Sequence, residues 1–206
     1  MDNRSINSKK FLSPIEDRFV LNRIKDDWTR NGIMLKLLRS CGMRAGELLS
    51  LRVCDLNQFE KSILVHASKG SNDRELPLDP DLFEHLTNYI SSTKRGEYER
   101  IFDIGYDQLG IIWRGYRPIG SGKPLHSLRH TLALEVYRRT KDILLVKTIL
   151  GHKSIQTTMI YQEFCHTQPE IRRALLADSN HGAEPERALA SDDNLLRFRN
   201  SETGHG

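Results

Sequence analysis

Short motifs in this sequence bring cationic and proton-carrying side chains together at helical spacing. Arg44 lies in the run Cys-Gly-Met-Arg-Ala-Gly-Glu, and an offset of three lets the Glu47 carboxylate reach back to Arg44 along a helix. His126, Arg129 and His130 are separated by offsets of three and four, which predicts that they share one helix face. Side chains of these types can hold an anion and move a proton.

Three further residues complete the set of candidates. Lys69 follows a strand-like segment in a stretch rich in turn-forming residues. His152 ends a Leu-Gly-His run between two predicted helices, and Tyr161 lies nine residues after it. A lysine, a histidine and a tyrosine at such places can act on an anion or can have ordinary structural roles.

Taken alone, each motif also fits a plain structural interpretation. Arg44 and Glu47 can form a surface ion pair, and residues 126–130 can be a solvated basic helix face. Tyr161 can be a packed core tyrosine, and Lys69 can be an exposed, solubilising side chain. These alternatives stay open at the level of the separate motifs.

A metal site is disfavoured. His126 and His130 are four residues apart, as in the His-Glu-x-x-His zinc motif, but the glutamate of that motif is missing here. Arg129 between them would repel a metal cation. No Walker motif and no acidic metal cluster is found in the sequence. We therefore expect neither a metal nor a cofactor.

The order of the motifs resembles that of the tyrosine recombinase (phage integrase) family. The match consists of an arginine in Gly-x-Arg-x-x-Glu-Leu, a lysine in a β-turn, His-x-Leu-Arg-His, Leu-Gly-His and then a tyrosine, and it runs from about Phe11 to Leu176. By this resemblance the catalytic positions are Arg44, Lys69, His126, Arg129, His152 and Tyr161. Glu47 and His130 have supporting positions.

The resemblance implies cleavage of a DNA phosphodiester by the Tyr161 hydroxyl, which leaves a 3′-phosphotyrosyl ester and a free 5′-hydroxyl. Arg44 and Arg129 would hold the nonbridging oxygens through bidentate hydrogen bonds. His152 would donate to the same phosphate, and His126 would accept or hold the Tyr161 proton. The ester keeps the bond energy, so resealing needs no ATP.

The same resemblance makes Lys69 the group that protonates the leaving 5′-oxygen. It implies double-stranded DNA as the partner and a homotetramer on paired DNA sites. Accessory DNA-binding proteins or cooperative assembly could compensate for the N-terminal DNA-binding domain that most family members have. A type IB topoisomerase-like nicking and closing activity, and an inactive DNA-binding accessory protein, are the alternatives. The Leu-Gly-His run favours the recombinase over the topoisomerase, and the six intact positions disfavour the inactive protein.

The elements that must position these residues are mostly helices. Ser13-Pro14-Ile15-Glu16 is a capping box that predicts a helix start, and Gly42 is the predicted end of the second helix. Residues 62–66 and 74–78 have strand character and predict a β-hairpin. Further helices are predicted at residues 44–51, 81–90, 106–114, 126–139, 142–150, 154–161 and 169–177. The fold class is therefore mainly α with a small antiparallel β-sheet.

Composition divides the 206 residues into three parts. We predict an N-terminal extension over residues 1–10, a catalytic domain over 11–178 and a disordered tail over 179–206. The tail has five acidic residues and three arginines, hence a charge of −2. Since the whole chain has a net charge of +4, residues 1–178 carry a charge of +6. That excess of positive charge favours a polyanionic partner.

Most family members carry an N-terminal domain that closes around DNA, and here only about ten residues precede the first catalytic-domain helix. The chain is either a fragment or a short form, similar in length to fimbrial phase-variation invertases. The sequence has no secretory signal, no membrane span and three widely spaced cysteines. We expect a cytoplasmic, nucleoid-associated protein with no membrane partner.

Overall fold

The computed structural model describes residues 10–67, 71–164, 172 and 175–176, and the first 166 residues form one compact unit. Its helices are α1 Pro14–Ile24, α2 Arg30–Cys41, α3 Ala45–Ser50, α4 Pro80–Thr93, α5 Tyr106–Tyr116, α6 Ser127–Thr140, α7 Ile143–Leu150 and α8 Gln156–Met159. Its strands are β1 Leu56–Asn57, β2 Ser62–Val65 and β3 Arg74–Pro77. Short 3₁₀ turns cover Val53–Asp55 and Gln162–Phe164. The predicted fold class is confirmed.

Helix α2 is the centre of the core. Its residues Ile33, Leu35 and Leu37 are fully buried, and the helix packs against α6 on one side and α4 on another. Such burial around most of its circumference is expected for a helix surrounded by other helices. Trp113 of α5 lies in the same core. The core thereby fixes the ends of α2 and α6, which carry the candidate residues.

Local signals in the sequence correctly located the start of α1 and the ends of α2 and α7. The Ser13 side chain accepts the Glu16 backbone N–H, and Glu16 Oε2 accepts the Ser13 N–H at 2.8 Å, so the capping box is present. Helix α2 ends at Gly42 with φ of 60°, and α7 ends at Gly151 with φ of 67°. This left-handed conformation strains other residues and suits glycine. Both glycines lie two residues or fewer before a candidate residue.

The sheet has strand order β1-β2-β3, and both pairs are antiparallel. Strands β2 and β3 form the predicted hairpin, with Val65 opposite Arg74 and Ser62 opposite Pro77. Strand β1 was not predicted, because two residues are too few to show a period. In β3 the inward positions are Arg74 and Leu76, so an arginine occupies a core-facing place.

The helix predicted over residues 154–161 is shorter than expected. Helix α8 covers only Gln156–Met159, and Ile155 rather than Ser154 precedes it. The Ser154 hydroxyl contacts the Gln156 side chain instead of a backbone N–H, so Ser154 does not cap this helix. β-Branched residues lower helix propensity. Thr157 and Thr158 are such residues, and the Thr158 hydroxyl is engaged by a histidine outside the helix.

The second unit comprises residues 167–206. Its described residues, Arg172, Leu175 and Leu176, are helical and lie within the helix predicted over 169–177. The rest of that prediction, and the tail over 179–206, lie outside the described residues, as do residues 1–9. Within the described part of the chain, no helix is long and apolar enough to cross a membrane.

Candidate active site

Glu47 holds Arg44 in place. Arg44 directly precedes α3, and its backbone N–H donates to Glu47 Oε2 at 2.9 Å while its Nη1 donates to Oε1 at 2.9 Å. The predicted pair is therefore confirmed. A surface ion pair would leave both side chains in solvent, but the Glu47 side chain is 0% exposed. The carboxylate is a buried element of the site.

Two more arginines reach the same carboxylate. Arg74 Nη2 donates to Glu47 Oε2 at 2.8 Å, and Arg129 Nη1 lies 3.9 Å from that oxygen. The Ser71 hydroxyl donates to Oε1 at 3.2 Å. Burial raises the pKa of Glu47, but the hydrogen bond from Arg74, the Arg44 N–H and the nearby positive charges outweigh it and lower the pKa to about 2. Glu47 is thus ionised and organises three guanidinium groups.

Arg129 joins the ends of two helices. Its Nη1 donates to the Gly42 carbonyl at the end of α2, and its Nη2 donates to the Leu150 carbonyl of α7 at 2.7 Å. Helix C-terminal carbonyls lack partners within their helix, so these bonds satisfy both sides. Burial and then the charge of Arg44 lower the pKa of Arg129 to about 9. A guanidinium has five N–H donors, and these two bonds fix its plane while using only part of them.

Tyr161 is paired with His130 and not with His126. The Tyr161 hydroxyl and His130 Nδ1 are 3.0 Å apart, and Tyr161 is 1% exposed. The expectation that His126 holds the Tyr161 proton is thus wrong for this structure. His130 lies one turn further along α6, whereas His126 precedes the helix and only meets the His130 ring edge-on at 4.7 Å. His130, given a supporting position from the sequence, contacts the tyrosine directly.

Burial governs the ionisation of these side chains. It raises the pKa of Tyr161 to about 12, although the charges of Arg129 and Arg44 act in the opposite direction. Burial, followed by positive neighbours, lowers the pKa of His126 to about 4 and that of His130 to about 3. At neutral pH both histidines are therefore neutral, and the phenol keeps its proton.

His152 follows the left-handed Gly151 at the end of α7. Its backbone N–H donates to Lys147 O at 3.1 Å, and its Nδ1 lies 3.0 Å from Thr158 Oγ1. Burial and then the charges of the site arginines lower the pKa of His152 to about 3. The bond to Thr158 orients a neutral ring and leaves Nε2 as the nitrogen available for another partner.

The structure brings five of the six predicted residues together, and Lys69 lies outside the described residues. Positive charge from Arg44 and Arg129 acts on each of His126, His152 and Tyr161. The sequence interpretation missed Arg74, Ser71 and Thr158. A charged residue at an inward position of a strand, as at Arg74, was a detectable signal.

Among the described residues, no group of three or more histidine, cysteine, aspartate or glutamate side chains is arranged to hold a metal ion. The donors at the site are guanidinium and imidazole groups around one carboxylate. The fold and the site therefore define a helical domain with an anion-binding cluster next to a buried tyrosine.

The sequence profile of the phage integrase family matches residues 17–166, and the chain belongs to this family. A tyrosine recombinase of Pseudothermotoga lettingae is 35% identical over 139 residues, covering 64% of this chain and 49% of the relative. Tyrosine recombinase XerA of Pyrococcus furiosus is 28% identical over 193 residues, covering 85% of this chain and 65% of the relative. The chain thus spans about half to two thirds of these relatives.

Solved structures show the same fold. The crystal structure of XerA recombinase matches with a TM-score of 0.64 and 25% identity, covering 82% of this chain and 65% of that one. The catalytic domain of bacteriophage HP1 integrase matches with a TM-score of 0.56 and 23% identity over 84% of this chain and 97% of that domain. The latter supports the fold alone.

Proposed function

We propose that this chain is the catalytic domain of a site-specific DNA recombinase that cleaves and rejoins strands through a 3′-phosphotyrosyl intermediate on Tyr161. The observation that carries the proposal is the buried Glu47 carboxylate, which is paired with Arg44 and lies 3.9 Å from Arg129. The neutral His152 and the hydrogen-bonded pair of His130 and Tyr161 belong to the same site. Fixed positive groups around a tyrosine hydroxyl meet the needs of phosphoryl transfer. We further propose that residues 11–178 form this domain.

Arg44 and Arg129 would bind the nonbridging oxygens of the scissile phosphate. Arg44 is partly exposed, with 26% of its side chain accessible, so it can meet a backbone phosphate from solvent. Arg129 is oriented by the Gly42 and Leu150 carbonyls before DNA arrives. Charges that are already in position lose little free energy to reorganisation when the transition state forms.

The Tyr161 proton would leave during formation of the new P–O bond. Because the pKa of His130 is about 3 and that of Tyr161 about 12, proton transfer in the free protein is strongly unfavourable. The hydrogen bond therefore orients the phenol without ionising it. As the oxygen bonds to phosphorus its acidity rises, and His130 Nδ1 is in place to accept the proton.

The remaining groups would act on the phosphate. His152 Nε2, with the ring fixed by Thr158, would donate to a nonbridging oxygen. His126 would support the His130 ring from its edge. By the family resemblance, Lys69 would give a proton to the leaving 5′-oxygen. The phosphorus–tyrosine bond forms as the phosphorus–5′-oxygen bond breaks, and a later 5′-hydroxyl reverses the exchange.

Double-stranded DNA is the proposed substrate. The charge of +6 on residues 1–178 favours binding through phosphates, and the affinity should then fall steeply as salt concentration rises. One similar solved structure is of XerH site-specific recombinase bound to its difH substrate in a pre-cleavage complex. We propose a homotetramer on paired sites from the family resemblance, and we also propose accessory DNA-binding proteins and a nucleoid location in the cytoplasm.

The test is covalent trapping. Purified protein is incubated with nicked duplexes tiled across the DNA that flanks its gene, so that a cleaved strand loses a short fragment and cannot be resealed. Wild-type protein should give an adduct that survives denaturation, and Tyr161→Phe should give none. Adduct formation should persist in a chelator, because arginines supply the positive charge at the phosphate.

Tyr137→Phe is the matched control, since Tyr137 packs on the same apolar cluster as Tyr161 and is not placed in the reaction. This variant should form adduct at the wild-type rate. An adduct formed by Tyr161→Phe would contradict the nucleophile assignment. Absence of any adduct with wild-type protein would contradict the proposed activity.

A further inference from the structure

Arg74 is a buried arginine between two parts of the site. It begins β3, and its side chain is 4% exposed. On one side its Nη2 donates to Glu47 Oε2 at 2.8 Å. On the other, a Cβ added at Gly151 would lie 2.9 Å from Arg74 Nη1 and 3.0 Å from its Cδ. The guanidinium therefore fills the space between Glu47 and the turn that precedes His152.

The residues just before β3 also contact both Glu47 and the turn at Gly151. The Ser71 hydroxyl donates to Glu47 Oε1 at 3.2 Å, and the Asn72 N–H donates to Gly151 O at 2.8 Å. Ser71 and His152 also form an antiparallel backbone bridge. Residues 71–74 thus connect the Glu47 carboxylate to the His152 turn, and Arg74 is the member whose charge is paired with Glu47.

Arg74 is not paired as a purely structural buried arginine would be. Its Nε and Nη1 are buried and have no hydrogen-bond partner among the described residues. Arg39 provides the comparison, because its Nε and Nη2 donate to Asp17 and its Nη2 also donates to Glu135. Burying a guanidinium with unpaired donors costs free energy.

The carboxylate that Arg74 does contact is already engaged by Arg44. An arginine kept at this cost next to a cluster of positive charges indicates a role in the site, since functional sites are where such costs are tolerated.

We propose that Arg74 is a positioning residue for the reaction, acting through Glu47. It holds the Glu47 carboxylate against Arg44 while Gly151 limits its movement on the other side. Arg44 and His152 are then kept at the separation at which both reach one phosphate. This inference rests on the proposed function, because positioning is defined by the phosphate that the site would bind.

The test measures single-turnover adduct formation by the full chain at saturating DNA, using the tiled nicked duplexes. Arg74→Met keeps an unbranched stem beside Gly151 but removes the charge and the bond to Glu47. Its cleavage rate should fall at least about tenfold, because small displacements of catalytic groups have large effects on rate. The DNA concentration for half-maximal rate should change less than about threefold, since few phosphate contacts are lost.

Arg39→Met is the matched control. Arg39 is also buried, with an 8% exposed side chain, and is ion-paired outside the site. Its loss should lower the unfolding temperature, as should that of Arg74, yet leave the cleavage rate within about twofold. Arg74→Lys keeps a positive charge near Glu47 and should recover part of the cleavage rate. It also gives a result if the Arg74→Met variant does not fold.

A double-mutant cycle with Glu47→Gln separates positioning from packing. If Arg74 acts through Glu47, the double variant should cleave within about threefold of the slower single variant. Losses that multiply, or an Arg74→Met variant with the wild-type rate, would overturn the inference while leaving the proposed function intact. Wild-type protein without any adduct would contradict the proposed function, and the inference with it.

Discussion

Replacing Glu47 by glutamine should destabilise the protein strongly. The loss should exceed that caused by the same replacement at a more exposed ion-paired carboxylate. The glutamine has nearly the same shape, so the change removes charge and little volume. Its amide also places an N–H₂ group among the N–H donors of Arg44 and Arg74, which bond to the carboxylate in the wild type. Donors would then face donors in a buried site.

The magnitude follows from the ionisation of Glu47. Its pKa falls from the ordinary value of 4.5 to about 2 in the folded protein. Each pKa unit corresponds to about 1.4 kcal/mol, so ionised Glu47 contributes about 3 kcal/mol to folding. Because the folded pKa is the lower one, this contribution is present above pH 4.5 and is lost as the pH falls towards 2. The loss agrees with the known cost of breaking a buried ion pair, about 3 to 5 kcal/mol.

Urea unfolding followed by tryptophan fluorescence measures the effect. At about pH 7 the free energy of unfolding of Glu47→Gln should be about 3 kcal/mol below that of the wild type. The control is Glu135→Gln, which breaks a bond to Arg39 from a side chain that is 52% exposed. It should cost less than about 1 kcal/mol. Equal losses in the two variants, or a Glu47→Gln loss that is unchanged at acidic pH, would refute the reasoning.

Three other substitutions, one of them with a matched control, test separate parts of the site. Gly151→Ala should lower the free energy of unfolding by about 1 to 3 kcal/mol, because φ is +67° and the new Cβ meets Arg74 and Asn72 atoms. Gly46→Ala, with nothing within 4 Å, should instead raise it by up to about 1 kcal/mol, and thermal unfolding compares the two. The pKa of His152 is 6.5 in the unfolded chain and about 3 in the folded protein. Between these pH values only the unfolded chain binds the proton, so the free energy of unfolding should fall as the pH drops through this range. His152→Gln should make that fall shallower by about 1.4 kcal/mol per pH unit in urea unfolding, and an unchanged slope would contradict a neutral buried imidazole. Arg129→Lys should retain DNA affinity but slow adduct formation about a hundredfold, since one ammonium cannot contact two helix ends and a phosphate; normal cleavage would count against the planar clamp.

Helix ends could be predicted from the sequence because their causes are local. Ser13 and Glu16 satisfy each other's backbone groups within one turn, and Gly42 permits the left-handed conformation that ends α2. Interactions over three or four residues, such as Arg44 with Glu47, are predictable for the same reason. Strand β1 and the limits of α8 were missed because short elements depend on tertiary contacts more than on their own residues.

The pairing of Tyr161 could not be derived in this way. Helical periodicity predicts that His126 and His130 lie on the same side, but it cannot tell which ring meets a segment about thirty residues later in the chain. That choice depends on how α7 and the turn at Gly151 return the chain to α6. Arg74 raises the same difficulty, because its partner Glu47 lies 27 residues earlier and on another element.

The charge of the site fits the proposed transition state better than the ground state. Arg44, Arg74 and Arg129 carry three positive charges and Glu47 carries one negative charge, so this group has a net charge of +2, with the three histidines neutral. A DNA phosphodiester brings one negative charge. Attack by an oxygen that loses its proton raises the charge at phosphorus to about −2. Binding therefore strengthens as the reaction proceeds, which is the condition for a faster chemical step.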